Sequence, residues 1–162
     1  ANVPCELPIL KSAFIFSALT GLRWSDIEKL VWSEVQQSDQ SGYYIRFRQK
    51  KTKGAETLPI SEQAFNLLGK RGKPESKVFE GLYYSAWHNL KLREWVMKAG
   101  ITKHITFHCA RHTYATLQIT LGTDIYTVSK LLGHRHLKTT EIYAKVIDHK
   151  KQEAANKIKL DL

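Results

Sequence analysis

The stretch LLGHRHLKTTEIYAKV, residues 131–146, is the part of this sequence that most directly predicts the fold. Leu131 and Leu132 close an apolar run of helical period, and Gly133 follows them as a helix terminator. His134 comes directly after that glycine, and Tyr143 stands nine residues further along on another short segment. The chain therefore places an imidazole at a helix end close to a phenol on the next segment.

Two upstream motifs add charged and titratable side chains to this pair. In FHCARHTYAT, residues 107–116, His108 and Arg111 lie one helical turn apart and share a face. In TGLRWSDIEKL, residues 20–30, Arg23 occupies the turn between two predicted helices, which is a rigid place from which to aim a guanidinium. Each motif alone is common as a structural pair or a solvated residue. Together they supply a nucleophile, cations and proton carriers, which are the groups that displacement at a phosphodiester requires.

The periodicity of the chain predicts a mainly α-helical domain with one small antiparallel β-hairpin, an α+β fold. The alternating runs 43–48 and 56–60 form the hairpin, with a basic tip around Gly54. Ser25 and Ser61 are predicted N-caps, and the aromatic residues of segment 83–97 are predicted to lie in the core. Tyr143 is expected on an exposed or half-exposed flank. The predicted helical segments are 8–20, 24–32, 62–68, 84–97, 106–122, 124–132 and 137–146.

Composition limits the classes of partner. The 162 residues carry 25 Lys and Arg against 15 Asp and Glu, a net charge of +10, which favours a polyanion over a merely soluble basic protein. Cys5 and Cys109 lack disulfide or zinc spacing, so we expect reduced thiols in a cytosolic protein. No apolar run approaches the roughly 20 residues needed to cross a membrane.

With these motifs in hand, the chain resembles the catalytic domain of the tyrosine recombinases, the phage integrase family, from its first helix to Tyr143. GLRWSDIEKL matches the family's GLR-x-x-[DE]-x-x-x-L box, in which Arg23 is the first catalytic arginine and Asp26 is the acidic position. The family's K-T-x(n)-P pattern aligns Lys51 and Thr52 with Pro59, although Lys50 and Lys53 stand close enough to leave the choice of lysine open.

The resemblance implies a role for each matching side chain. Tyr143 would attack the DNA and form a 3′-phosphotyrosine, while His108 would accept the phenolic proton. His134 would donate a hydrogen bond to the scissile phosphate, and Lys51 would protonate the leaving 5′-oxygen. His112, His136 and Tyr126 are neighbours that could be confused with these groups. The implied catalytic residues are therefore Arg23, Lys51, His108, Arg111, His134 and Tyr143.

The same resemblance implies an organisation and a set of partners. Residues 1–147 would form the catalytic domain and residues 148–162 a tail helix that docks on a neighbouring protomer, with DNA-binding domains upstream of this sequence. The expected partners are double-stranded DNA, three further copies in a tetramer on synapsed DNA, and DNA-bending accessory proteins. A monomer is the alternative for the isolated domain. The expected location is the prokaryotic cytoplasm, at the nucleoid.

The implied reaction is site-specific strand exchange, as in integration or excision of a mobile element. It needs no metal or cofactor, and the sequence has no DxD, HExxH or paired-carboxylate site. One alternative is relaxation of supercoils by the same chemistry, as in type IB topoisomerases. Another, from a different class, is a non-catalytic DNA-binding protein with the same fold.

Overall fold

The structure of the protein is a computed structural model, and it describes residues 2–40, 42–48 and 55–143. It is mainly helical with one small antiparallel sheet, so the predicted fold class is confirmed. The elements in chain order are α1 (Pro8–Thr20), α2 (Trp24–Ile27), a 3₁₀ helix (Trp32–Glu34), β1 (Val35–Ser38), β2 (Gly42–Arg48), β3 (Ala55–Pro59), α3 (Glu62–Asn66), α4 (Ala86–Lys98), α5 (His108–Thr120), α6 (Ile125–Leu131) and a second 3₁₀ helix (Leu137–Tyr143).

Helix α1 forms the centre of the domain and packs against α5. Its buried face includes Leu10 and Phe16, and Pro8 occupies the first turn, where its missing N–H costs nothing. The helix ends at Gly21, which has a φ of 72° and donates its N–H to Ser17 O at 2.8 Å. The chain then turns directly towards α5 and α6.

Gly21 is required for space as well as for conformation. A Cβ at this position would lie 2.6 Å from Tyr114 Cδ1 and 3.0 Å from Leu132 Cδ2. Gly42 has a similar φ of 65° but would have nothing within 4 Å of an added Cβ. Gly42→Ala thus measures the left-handed conformation alone, which costs about 1–2 kcal/mol.

We expect Gly21→Ala to lower the free energy of unfolding by clearly more than Gly42→Ala does. The extra loss comes from the overlap with two buried side chains, which overpacking puts at about 1–3 kcal/mol. Urea denaturation of both variants measures the difference. Equal losses would show that α1 and α5 separate to admit a methyl group at no cost.

Helix α2 is shorter than the sequence predicts. We expected a helix over 24–32 capped by Ser25, but α2 spans Trp24–Ile27 and Ser25 lies inside it. The N-cap is Arg23, whose carbonyl accepts the first N–H groups of the helix at 3.0 Å. Beyond α2 the chain leaves the helix because Leu30 O accepts from Val78 N at 2.9 Å, a partner that the local pattern could not reveal. Arg23 nevertheless lies in the predicted turn between two helices.

The sheet contains the predicted hairpin and one additional strand. Strands β2 and β3 pair antiparallel, and Ile45, which is fully buried, faces Leu58 on one side and Val35 of β1 on the other. Strand β1 was not predicted, because its sequence VQQS has only one apolar residue and so shows no alternating pattern. The basic hairpin tip, residues 49–54, lies outside the described residues.

Helices α3 and α4 begin where serines cap them. Ser61 Oγ accepts from Ala64 N at 3.2 Å, as predicted, and Ser85 caps α4. The expectation that the aromatic residues near α4 are core is correct for Trp95 but wrong for Trp87 and Tyr83, which are 45% and 54% exposed. Only one face of α4 meets the core, and periodicity gives no sign of how wide that face is.

The C-terminal elements form a second, smaller core. Tyr114 and Ile119 of α5 pack with Val128 of α6, with Leu132, and with Tyr143 of the last 3₁₀ helix. Tyr143 is only 8% exposed, so the prediction of an exposed or half-exposed flank is wrong. No helix in the described part of the chain has the length and apolar character needed to span a bilayer. The predicted tail, residues 148–162, lies outside the described residues.

Candidate functional site

The guanidinium of Arg111 is the structural centre of the site. The side chain projects from the first turn of α5 and is buried. Nη1 donates to Gly21 O at 2.5 Å and Nη2 donates to Leu132 O at 2.6 Å. Both carbonyls lie at helix ends, where main-chain oxygens lack helical partners. Arg111 therefore ties the end of α1 to the end of α6 and is held rigidly by them.

Arg111 also fixes the state of His134. Nη2 lies 3.1 Å from His134 Nε2, and because a guanidinium can only donate, Nε2 must be the acceptor. His134 Nδ1 then carries the ring proton and donates it to Thr140 Oγ1 at 2.8 Å. Thr140 is fully buried, so this partner cannot turn away into solvent. His134 is thus a neutral imidazole whose orientation is set on both sides.

The phenol of Tyr143 is hydrogen-bonded to a histidine of α5. Tyr143 Oη lies 2.8 Å from His112 Nδ1, and the two rings are 5.8 Å apart between centroids. Burial raises the pKa of the phenol, and the nearby charge of Arg111 opposes that rise. The attacking oxygen predicted from the sequence is consequently held in place by an imidazole.

His108 lies one turn before His112 on the same helix. It is exposed, and its ring meets the ring of His112 edge-on with centroids 4.5 Å apart. His108 also lines an open cleft of about 550 Å³, together with Trp24 and Tyr84. His108, the predicted proton acceptor, therefore packs against His112, and it is His112 that lies 2.8 Å from the phenolic oxygen of Tyr143.

Two arginines give the site its positive potential. Burial, and then repulsion from Arg23, lowers the pKa of Arg111 to about 10, which leaves it protonated at neutral pH. The Arg23 side chain is 17% exposed, and its Nη1 lies 3.9 Å from Asp26 Oδ2. Lys29 Nζ stands at the same distance from the other oxygen of this carboxylate. The buried carboxylate of Asp26 thus lies near both Arg23 and Lys29.

The repulsion between Arg23 and Arg111 predicts that small oxyanions stabilise the protein. A tetrahedral anion between Arg23 and Arg111 would relieve their repulsion, so adding inorganic phosphate should raise the melting temperature above that in sodium chloride of equal ionic strength. Arg23→Gln should remove the difference between the two salts. An identical rise in chloride would show only general screening of a basic protein.

The described residues bring five of the six predicted site residues into one region. Arg111, His134 and Tyr143 converge around the ends of α1, α5 and α6, and His108 and Arg23 border them. The sixth, Lys51, lies outside the described residues, as do its alternatives Lys50 and Lys53.

The sequence motifs did not assign two residues of this region. The sequence did contain an indication of His112, since it lies four residues after His108 and therefore on the same helix face. Thr140 had none, because nothing in KTTEIY distinguishes it from Thr139. Within the same described part of the chain, no group of three His, Cys, Asp or Glu side chains could hold a metal ion.

Comparison with known proteins matches this chain to the Phage integrase family over residues 8–150. A tyrosine recombinase of Pseudothermotoga lettingae is 32% identical over 146 residues, covering 85% of this chain and 50% of the relative. The solved catalytic domain of bacteriophage HP1 integrase superposes with a TM-score of 0.65 at 29% identity, covering 88% of this chain and 77% of that one.

A solved XerH site-specific recombinase, bound to palindromic difH substrate in a post-cleavage complex, has the same fold. Its TM-score is 0.65 at 19% identity, covering 96% of this chain and 54% of that one. The present chain spans about half the length of the curated relatives it matches.

Proposed function

Because the chain belongs to the phage integrase family, we propose that it cleaves and rejoins DNA strands at specific sites through a covalent 3′-phosphotyrosine at Tyr143. The observation that carries this proposal is the phenol of Tyr143, hydrogen-bonded at 2.8 Å to a histidine of α5, the helix that also bears the buried Arg111. A phenol is a suitable carrier because it departs again more readily than an alkoxide. The strand can then be rejoined without an external energy source.

The two arginines neutralise the phosphate during attack. Three of the five N–H donors of Arg111 are used by Gly21 O, Leu132 O and His134 Nε2. The remaining two, Nε–H and one Nη1–H, are those that we assign to a non-bridging oxygen. Arg23 supplies the second fork from the turn before α2. Such fixed donors stabilise developing negative charge without reorganising during the reaction.

His134 contacts the phosphate only after a change of partner. Its Nε2 now accepts from Arg111, so donating to DNA requires this nitrogen to gain a proton and release Nη2. An approaching phosphate favours both events, because its charge stabilises an imidazolium and attracts the guanidinium. Thr140 keeps the Nδ1 side of the ring fixed throughout. A proton acceptor for the phenol is also required, and a histidine of α5 fills that role.

Lys51 is proposed to protonate the leaving 5′-oxygen, on the strength of its place in the K-T-x(n)-P pattern. A bridging 5′-sulfur leaves as a thiolate, which needs little protonation. We therefore expect Lys51→Ala to cleave ordinary DNA very slowly and sulfur-substituted DNA at nearly the normal rate. Lys50→Ala and Lys53→Ala serve as controls that cleave both at similar rates. Rescue of Lys53→Ala alone would shift the assignment by two residues.

Double-stranded DNA is the proposed partner. The net charge of +10 supports it, and a site-specific recombinase of the same fold has been solved with its palindromic difH substrate. We further propose upstream DNA-binding domains, a tetramer on synapsed DNA assembled through the segment 148–162, and DNA-bending accessory proteins. Residues 1–147 then act as the catalytic domain at the nucleoid in the cytoplasm.

Covalent capture from random DNA tests the proposed function and selects the DNA site in the same experiment. The purified protein is incubated with a pool of duplexes of random sequence that carry a nick, so that the strand end diffuses away after cleavage. We expect an SDS-resistant protein–DNA adduct enriched in one sequence, and strand exchange between two intact duplexes of that sequence. Binding without any adduct would indicate a DNA-binding protein. Adducts with relaxation but no exchange would indicate a topoisomerase.

A further inference from the structure

We propose that His112 is a catalytic residue that takes the proton of the Tyr143 phenol as its oxygen attacks DNA. This inference rests on the proposed function, and it names a residue that the sequence motifs leave outside the catalytic set. The main observation in its support is the 2.8 Å distance between His112 Nδ1 and Tyr143 Oη. A proton acceptor must lie within hydrogen-bond reach of the proton that it removes, and His112 meets this requirement directly.

The surroundings suit His112 for this role. The imidazole is half-buried beside a phenol that is 8% exposed, so bulk water has little access to the shared proton. The exposed His108 packs edge-on against the outer side of the ring, which limits its rotation. Burial raises the pKa of the phenol, so its oxygen needs a proton acceptor to attack, and the positive charge of Arg111 on the same helix partly offsets this rise. Imidazoles exchange protons readily near neutral pH.

The step balances as an in-line displacement. Tyr143 Oη forms a bond to phosphorus while the bond from phosphorus to the 5′-oxygen breaks. The phenolic proton passes to His112 Nδ1, and the departing 5′-oxygen receives a proton from the proposed acid, Lys51. In the rejoining step the 5′-hydroxyl attacks the phosphorus of the phosphotyrosine and returns its proton to Lys51. The bond from phosphorus to Tyr143 Oη breaks, and His112 returns its proton to the departing phenolate.

The experiment combines His112 variants with a more acidic phenol. His112→Asn keeps a polar atom near the position of Nδ1 but cannot take a proton at neutral pH. We expect it to form adduct about 100-fold more slowly or worse, which is the usual size of a general-base contribution, with unchanged DNA affinity. A fluorinated tyrosine at position 143, introduced by nonsense suppression, releases its proton more readily. It should restore most of the lost rate in the His112→Asn background.

Matched variants decide between this role and its competitors. His136→Asn removes an exposed imidazole near the site and should react at the normal rate. His108→Asn should react more slowly without being rescued by fluorotyrosine, and rescue of this variant in place of His112→Asn would overturn the proposal. A normal or faster rate of adduct formation by His112→Asn would also overturn the proposal. A faster rate would indicate that the hydrogen bond from His112 restrains Tyr143 before DNA binds. A slow rate without rescue would reduce His112 to a positioning residue.

Folding and the reaction itself are checked separately. His112→Gln is measured alongside His112→Asn, so that a folding defect in one of them still leaves the other to test the proposal. A normal DNA affinity shows that each variant is folded. If the wild-type protein forms no adduct, or if Tyr143→Phe still forms it, the proposed function fails. If both behave as expected and the His112 variants are unaffected, only the inference about His112 fails.

Discussion

Tyr143→Phe should abolish covalent capture of DNA while leaving the fold and DNA binding intact. The substitution keeps the ring that packs with Tyr114, Ile119 and Val128, and it removes only Oη. The hydrogen bond lost to His112 contributes about 0.5–1.5 kcal/mol, which is small beside the stability of a domain. No other atom of the phenylalanine can attack phosphorus, so the expected loss of adduct is complete.

Tyr126→Phe is the matched control for this prediction. Tyr126 is 60% exposed on α6 and is a second phenol close in sequence to the site. We expect this variant to form adduct at the wild-type rate. The measurement is an SDS gel of each variant after incubation with the captured nicked duplex, alongside a binding titration. Adduct formed by Tyr143→Phe but lost in Tyr126→Phe would move the nucleophile to α6.

Arg111→Lys should have the second largest effect, because it damages chemistry and structure together. Lysine keeps the charge but lacks the planar fork that bonds Gly21 O, Leu132 O and His134 at once. We expect cleavage to fall by about 100- to 1,000-fold, the size measured when one fixed donor to a developing anion is removed. A carbonyl left without a donor in the core should cost about a further 1–3 kcal/mol of stability.

Arg23→Lys separates these two effects. The Arg23 side chain is 17% exposed, whereas Arg111 is buried and its guanidinium donates to two main-chain carbonyls. Arg23→Lys should therefore lose cleavage to a similar extent but lower the melting temperature less than Arg111→Lys does. Single-turnover cleavage and thermal unfolding, measured on both variants, give the two quantities. If Arg111→Lys unfolds at the wild-type temperature, the guanidinium does not hold α1 and α6 together.

The sequence predicted elements whose signals are local. The hairpin followed from alternation in YYIRFR, and α1 followed from its apolar period and the glycine after Thr20. The end of α2 could not be predicted, because it depends on Leu30 O accepting from Val78 N in a distant segment. Strand β1 is similar, since VQQS becomes a strand only by pairing with β2. Non-local partners decide these cases, and a single sequence does not contain their positions.

The same distinction holds for the candidate site. Arg23, Arg111 and His134 could be found because motif spacing places each at a helix end or a helix face. The burial of Tyr143 could not, because the apolar residues that enclose it come from α5 and α6. His112 and His108 share one helix face, so periodicity alone cannot tell which of them meets the phenol. Only the packing of the last 3₁₀ helix against α5 distinguishes them.

The most direct test of the central claim is to locate the covalent bond. The SDS-resistant adduct is digested with protease and nuclease, and the modified peptide is sequenced by mass spectrometry. We predict a nucleotide joined through its 3′-phosphate to Tyr143, with every other tyrosine unmodified. A nucleotide on any other residue, or one joined through its 5′-phosphate, would contradict the proposed mechanism.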